Sequence, residues 1–264
     1  MPAHERISAV VSITLFGLAL YFVLDFPAQL TDLNLLGSPL SINAPLRWLM
    51  ILMLGGVAMA GMDGIVRALL PSSGRRWGYI ATFWPLPGLL VVLATQTLGL
   101  AASSTIWGAS LIVVGVLLWL TIAAEISLLT PGELWPHLWR QFIGYAIALI
   151  FFIVIYYARS RSAISATSIA LVAGLTALSL LRQPPEQVQK SWLLAGVVGL
   201  GLGQLTWALN YWRVGALNAG LLLFLVFYLL IGVAQQHLQG TLSRRSLWEF
   251  GAVTAVALLV IGVV

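Results

Sequence analysis

The sequence predicts an all-α fold, a polytopic transmembrane helix bundle, and three observations predict it. Of the 264 residues, 60% are hydrophobic and only 8% are charged, whereas a soluble domain carries about 25% charged residues. Mean hydropathy is +0.99. Apolar runs of about 20 residues, the length that crosses the hydrocarbon core, recur along the whole chain. In lipid the backbone must satisfy its own hydrogen bonds, so such segments are helices or a closed barrel. Continuous apolar runs, rather than short alternating ones, exclude the barrel.

Nine spans fit, near 7–26, 46–66, 79–100, 104–126, 137–157, 163–181, 191–209, 214–236 and 246–264. The N-terminal MPAHERIS has a weak basic region and no small-residue cleavage site, so the first run is read as an uncleaved helix ended by Asp25, Phe26 and Pro27. The loop 27–45 is polar and turn-forming, long enough for one interfacial turn but not for a domain. Span two contains Gly56, Ala60 and Gly64 at a spacing of four, a small-xxx-small face for close helix packing. Span three begins with Pro85 and Pro87 and is expected to start late or kink there. Span six, rich in Ser, Thr, Ala and Gly, is expected to be enclosed by other helices. If it failed to cross, eight spans would remain. A single integral membrane domain, 1–264, is expected.

Lys and Arg set the orientation. With the N-terminus inside, nine of the 13 basic residues fall in inside loops and four outside, which favours a cytoplasmic N-terminus. Arg159 and Arg161, both in one outside hairpin, run against this count. Seven of the 11 Trp (48, 77, 135, 139, 192, 212 and 248) fall at or near span ends, as an interfacial aromatic belt requires. The net charge of +5 is accounted for by these orienting residues, with no long basic run, so no nucleic-acid partner is expected.

Groups able to carry chemistry are few. Asp63 lies in span two with Arg67 one turn later. An acid inside a span is a functional candidate, and an i,i+4 ion pair is the structural alternative. Intramembrane aspartyl proteases need a second aspartate inside a span, and CDP-alcohol phosphotransferases need further aspartates downstream. The chain supplies neither. Glu125 ends span four, followed by Glu133, His137 and Arg140. They read either as an interfacial Glu125–Arg140 pair or as solvated loop charges. Arg182, Glu186 and Lys190 surround Pro184 and Pro185 as a short polar loop. His4, His137 and His237 sit in separate segments, so neither a metal site nor a cofactor is expected. Cysteine is absent, which excludes thiolate chemistry.

Span seven is the most informative. Ser191, Ala195, Gly199 and Gly203 recur every four residues as one small ridge, which points to backbones in close approach. Gln204 lies beside the ridge, Asn210 at the following corner, and Asn218 early in span eight. They either line a polar cavity or serve as interhelical glue and turn caps. The glue reading would lock spans seven and eight to the small-residue helices two and six.

The stretches IYYARSRSAISATS (155–168), GQLTWALNYW (203–212) and LIGVAQQHLQGTLSRR (230–245) resemble an uncharacterised family of bacterial polytopic membrane proteins, a domain of unknown function. The resemblance covers about residues 150–264. It implies a bacterial inner-membrane protein and carries no activity. The expected partners are the lipid bilayer and either other membrane proteins or a second copy. Three functions follow in order: a non-enzymatic subunit, assembly factor or scaffold; a small permease or flippase with its site at the span seven–eight hairpin; and a lipid-modifying enzyme.

Overall fold

A computed structural model describes residues 3–24, 30–35, 38–43, 45–71, 75–99, 103–129, 134–158, 162–212 and 214–240. Its helices are α1 (Ala3–Val23), α2 (Pro45–Leu69), α3 (Trp77–Ile80), α4 (Pro85–Leu98), α5 (Ser104–Ser127), α6 (Trp135–Tyr157), α7 (Ser162–Leu180), α8 (Val188–Asn210) and α9 (Ala216–Gln239). Among the described residues, eight helices are long and apolar enough to cross a membrane, the third being the composite Trp77–Leu98. They match the first eight expected spans. The ninth, 246–264, lies outside the described residues, as do Glu133, Arg159, Arg161, Arg213, Arg244, Arg245, Trp248 and Glu249.

The ends shift for physical reasons. Helix α1 begins before its apolar run, with Glu5 in the first turn, where the helix dipole favours a negative charge. Helix α9 runs past its apolar run to Gln239 and stops at Gly240, whose φ of 68° is a left-handed cap. The loop after α1 holds two strands, β1 (Leu30–Leu35) and β2 (Ser38–Asn43), paired antiparallel with Leu33 opposite Leu40. The sequence predicts only a turn there.

The chain divides into two compact units. The first comprises α1, the β-hairpin, α2, α5 and α4 from Pro87 onward. Helix α1 packs against α2 and α5. Gly61 gives α1 room beside α2, since a Cβ there would lie 2.5 Å from Val10 Cγ1. Arg47 Nε donates to Tyr21 Oη at 2.8 Å. Phe22 meets Trp107 edge-on at 6.1 Å.

The second unit comprises α3, the first residues of α4, and α6 to α9. Its most extensive contact is between α7 and α8, followed by α6 with α9 and α6 with α7. Helix α7 has 10 buried residues of 19, including Ser165, Thr176 and Ser179, the enclosure its polar composition predicts. Helix α3 gives way to a 3-10 turn, Ala81–Phe83, and a break at Trp84 before Pro85 opens α4. This is the expected kink. Pro85 and Pro87 supply no amide hydrogens, so the helix ladder cannot run through them.

Candidate polar site and packing seam

In the second unit, α7 and α8 meet along a line of small residues. A Cβ on Gly199 would sit 2.7 Å from Ala170 O and 3.1 Å from Gly174 Cα. One on Gly203 would sit 3.0 Å from Ala170 Cβ. Both obstacles belong to the facing helix and cannot rotate away. Ala195 and Ser191 continue this buried face. Ser191 is fully buried and closes the α7–α8 connection, because its hydroxyl donates to Leu181 O at 2.9 Å and accepts from Gln183 N at 3.0 Å. These four residues of the expected seam therefore lie together.

The other three belong to α2 in the first unit. Gly56, Ala60 and Gly64 are exposed among the described residues, and a Cβ on Gly56 or Gly64 would meet nothing within 4 Å. The buried face of α2 is instead set by Ile51, Ala58, Met62, Ile65 and Val66. One residue is 100° of turn, so Gly55 is packed, with a Cβ placed 2.9 Å from Val92 Cγ2, while Gly56 is open.

Asp63 and Arg67 form the i,i+4 pair, with Arg67 Nε 2.6 Å from Asp63 Oδ2. Arg67 is 44% and Asp63 24% exposed in the side chain, so the pair is an outward-facing one of modest worth. Glu125, in contrast, is 1% exposed, which rules out a solvated loop charge.

The polar corner at the end of α8 holds a cavity of about 260 Å³. Tyr156, Ser162, Ser165, Asn210 and Trp212 supply its polar and aromatic wall. Asn210 Nδ2 donates to Ser165 Oγ at 3.1 Å, and Ser165 Oγ donates to Ser162 O at 3.1 Å. Tyr156 Oη donates to Thr206 O at 3.4 Å. Helix α7 supplies the serines because its first turn faces the last turn of α8. The wall is neutral, a set of hydroxyls, an amide and an indole, suited to hydrogen-bonding a small uncharged polar group.

Gln204 and Asn218 do not join Asn210 in this wall. Gln204 is exposed and makes no hydrogen bond among the described residues. It lies with Leu200 and Trp207 on the outer face of α8. Asn218 is half-buried in the first turn of α9. Among the described residues no cluster of His, Asp and Glu is placed to hold a metal ion.

A second polar node has no signature in the sequence. Arg182 Nε donates to Thr82 Oγ1 and Nη2 to Thr82 O, both at 2.8 Å. Ser179 Oγ donates to the same carbonyl at 2.9 Å. The guanidinium lies 3.5 Å from the centroid of the Phe83 ring. Arg182 thus satisfies the carbonyl left open where the helix breaks. Thr82 and Arg182 are 100 positions apart, so no local pattern joins them.

A model of one protein family matches residues 26–264, nearly the whole chain. The chain belongs to the DUF5656 family. Its description is a protein of unknown function. The match extends the resemblance, drawn from about residue 150 onward, into the first half. The second unit with its seam, and the first unit from residue 26 onward, therefore lie within the DUF5656 region, while α1 precedes it. No match to this chain is found among curated proteins or solved structures.

Proposed function

We propose that this DUF5656 chain is a multi-pass membrane protein that acts through lateral helix contacts, as a subunit, assembly factor or scaffold within one integral membrane domain. One observation carries the reading. Among the described residues, eight of the ten buried polar side chains, from Thr14 to Thr206, are hydroxyls that donate to a backbone carbonyl. Six of them bond a carbonyl three or four residues back in their own helical segment, and Ser179 and Ser191 tie α7 and α8 to neighbouring backbone, so this interior polarity is satisfied in place rather than lining a conduit. The outer surface fits the same reading, because the small residues Gly56, Ala60 and Gly64 lie open beside exposed Leu52, Met53 and Val57. The Lys and Arg balance supports a cytoplasmic N-terminus. The resemblance supports a bacterial source and the inner membrane.

The test is purification through a C-terminal tag in mild detergent. A partner or second copy at fixed stoichiometry is the expected result. A monomer free of protein partners, in detergent and in nanodiscs alike, overturns it. The cavity beside Asn210 favours a second reading, a permease for a small uncharged polar solute. Transport by reconstituted vesicles that is lost in Asn210→Leu would support it.

A further inference from the structure

The second unit carries a groove that the lateral-contact reading does not use. It runs along the outer side of the α7–α8 crossing, holds about 280 Å³, and is walled by Leu171, Leu175 and Leu178 of α7 and by Trp192, Gly196 and Leu200 of α8. Its lining is apolar throughout. From Trp192 to Leu200 the helix rises about 12 Å, so the groove runs from the start of α8 toward mid-membrane. Gly196 keeps it open, since a Cβ there would meet nothing within 4 Å. The neighbouring Gly199 is different, being held against α7.

The mouth is aromatic and basic. Trp192 stacks on Trp77 at 6.0 Å with the ring planes 15° apart. Its Nε1 donates to Gly78 O at 3.0 Å, which fixes the ring. Arg76 precedes Trp77 and reaches back with Nη1 to Pro185 O at 3.3 Å. Arg75, Arg140, Arg182 and Lys190 belong to the same end of this unit, where α6 and α8 start and α7 stops. Glu186 is the one carboxylate among the described residues of the unit.

We propose that this groove is a binding site for one anionic phospholipid, with an acyl chain along Gly196 and the headgroup phosphate held at Arg76. Each part of the surface matches a part of such a lipid. The dry channel fits a hydrocarbon chain, the stacked indoles sit at the depth where Trp anchors, and the excess of cations complements the phosphate. A partner helix would need apolar contact at the mouth as well, where the chain instead places arginine. The site is independent of the lateral-contact reading, because a protein without protein partners can still hold this lipid.

Native mass spectrometry of the intact chain tests it, with dioleoylphosphatidylglycerol or dioleoylphosphatidylcholine added to the detergent-solubilised protein. The expected result is one retained phosphatidylglycerol at a concentration where phosphatidylcholine is not retained. Gly196→Leu fills the channel and is expected to lose this bound lipid while its thermal unfolding stays that of the wild type. Arg76→Gln, a surface change, is expected to retain lipid but lower the preference for phosphatidylglycerol about fivefold. Equal retention of the two lipids by the wild type overturns the proposal. So does undiminished retention in Gly196→Leu, or an Arg76→Gln variant with unchanged preference. A Gly196→Cys thiol that cross-links to protein rather than to a lipid-borne maleimide would also overturn it, by showing another occupant.

Discussion

Replacing Gly199 with alanine tests the packing seam. The added Cβ would lie 2.7 Å from Ala170 O, 3.1 Å from Gly174 Cα and 3.2 Å from Gly174 N. All three are backbone atoms, so no rotamer relieves the clash. Ordinary contact starts near 3.4 Å, which leaves a shortfall of about 0.7 Å that only separation of α7 and α8 can supply. A gap of that size forfeits roughly a quarter to a half of the dispersion energy of each contact across it. Overpacking of a close-fitted site costs about 1–3 kcal/mol. Gly199→Ala is therefore expected to destabilise by about 2 kcal/mol. Gly196→Ala is the control, because its Cβ enters open space. It is expected to be neutral or to stabilise by about 0.5–1 kcal/mol, since alanine loses less backbone entropy in a helix. Reversible unfolding in mixed micelles, titrated with SDS, reads both. A Gly199→Ala protein as stable as Gly196→Ala would refute the seam.

Three further outcomes follow. Arg182→Ala removes two charged hydrogen bonds and the contact with Phe83, and is expected to cost about 2–3 kcal/mol in the same titration. Arg182→Lys should recover only part of this, because lysine cannot match the two-pronged geometry on Thr82. Ser191→Ala leaves a half-buried amide and a buried carbonyl at the α7–α8 turn without this partner, and is expected to cost about 1–3 kcal/mol. Since the chain has no native cysteine, thiol labelling maps the polar corner cleanly. Ser162→Cys is expected to react with a water-soluble maleimide in sealed vesicles and Gln204→Cys to stay protected by lipid, and the reverse pattern would place the cavity elsewhere.

Spans were legible in the sequence because length and apolarity are what the bilayer demands of every crossing segment. The break in the third was legible too, because Pro85 and Pro87 act on their own backbone wherever the helix sits. Which face of a helix packs was less legible. Inside lipid, helices associate by fit rather than by hydrophobicity, so the spacing that placed Gly199 and Gly203 in the α7–α8 seam equally suggested Gly56, Ala60 and Gly64. Those three lie exposed among the described residues. Gln204 shows the same limit from the polar side, since its place next to the ridge in sequence puts it on the outer face of α8. The β-hairpin carries a short signal, the alternation in Asp32–Leu33–Asn34–Leu35. The Arg182–Thr82 node carried none, because its partners meet only through the fold of the second unit.

The central claim, function through lateral helix contacts, is tested most directly by site-specific photo-crosslinking from position 60 in native membranes. A benzophenone side chain replacing Ala60, between Gly56 and Gly64, is expected to give one discrete protein adduct of higher mass, either a second copy or one partner. Adducts to lipid alone, or to the chain's own residues 246–264, would contradict the account.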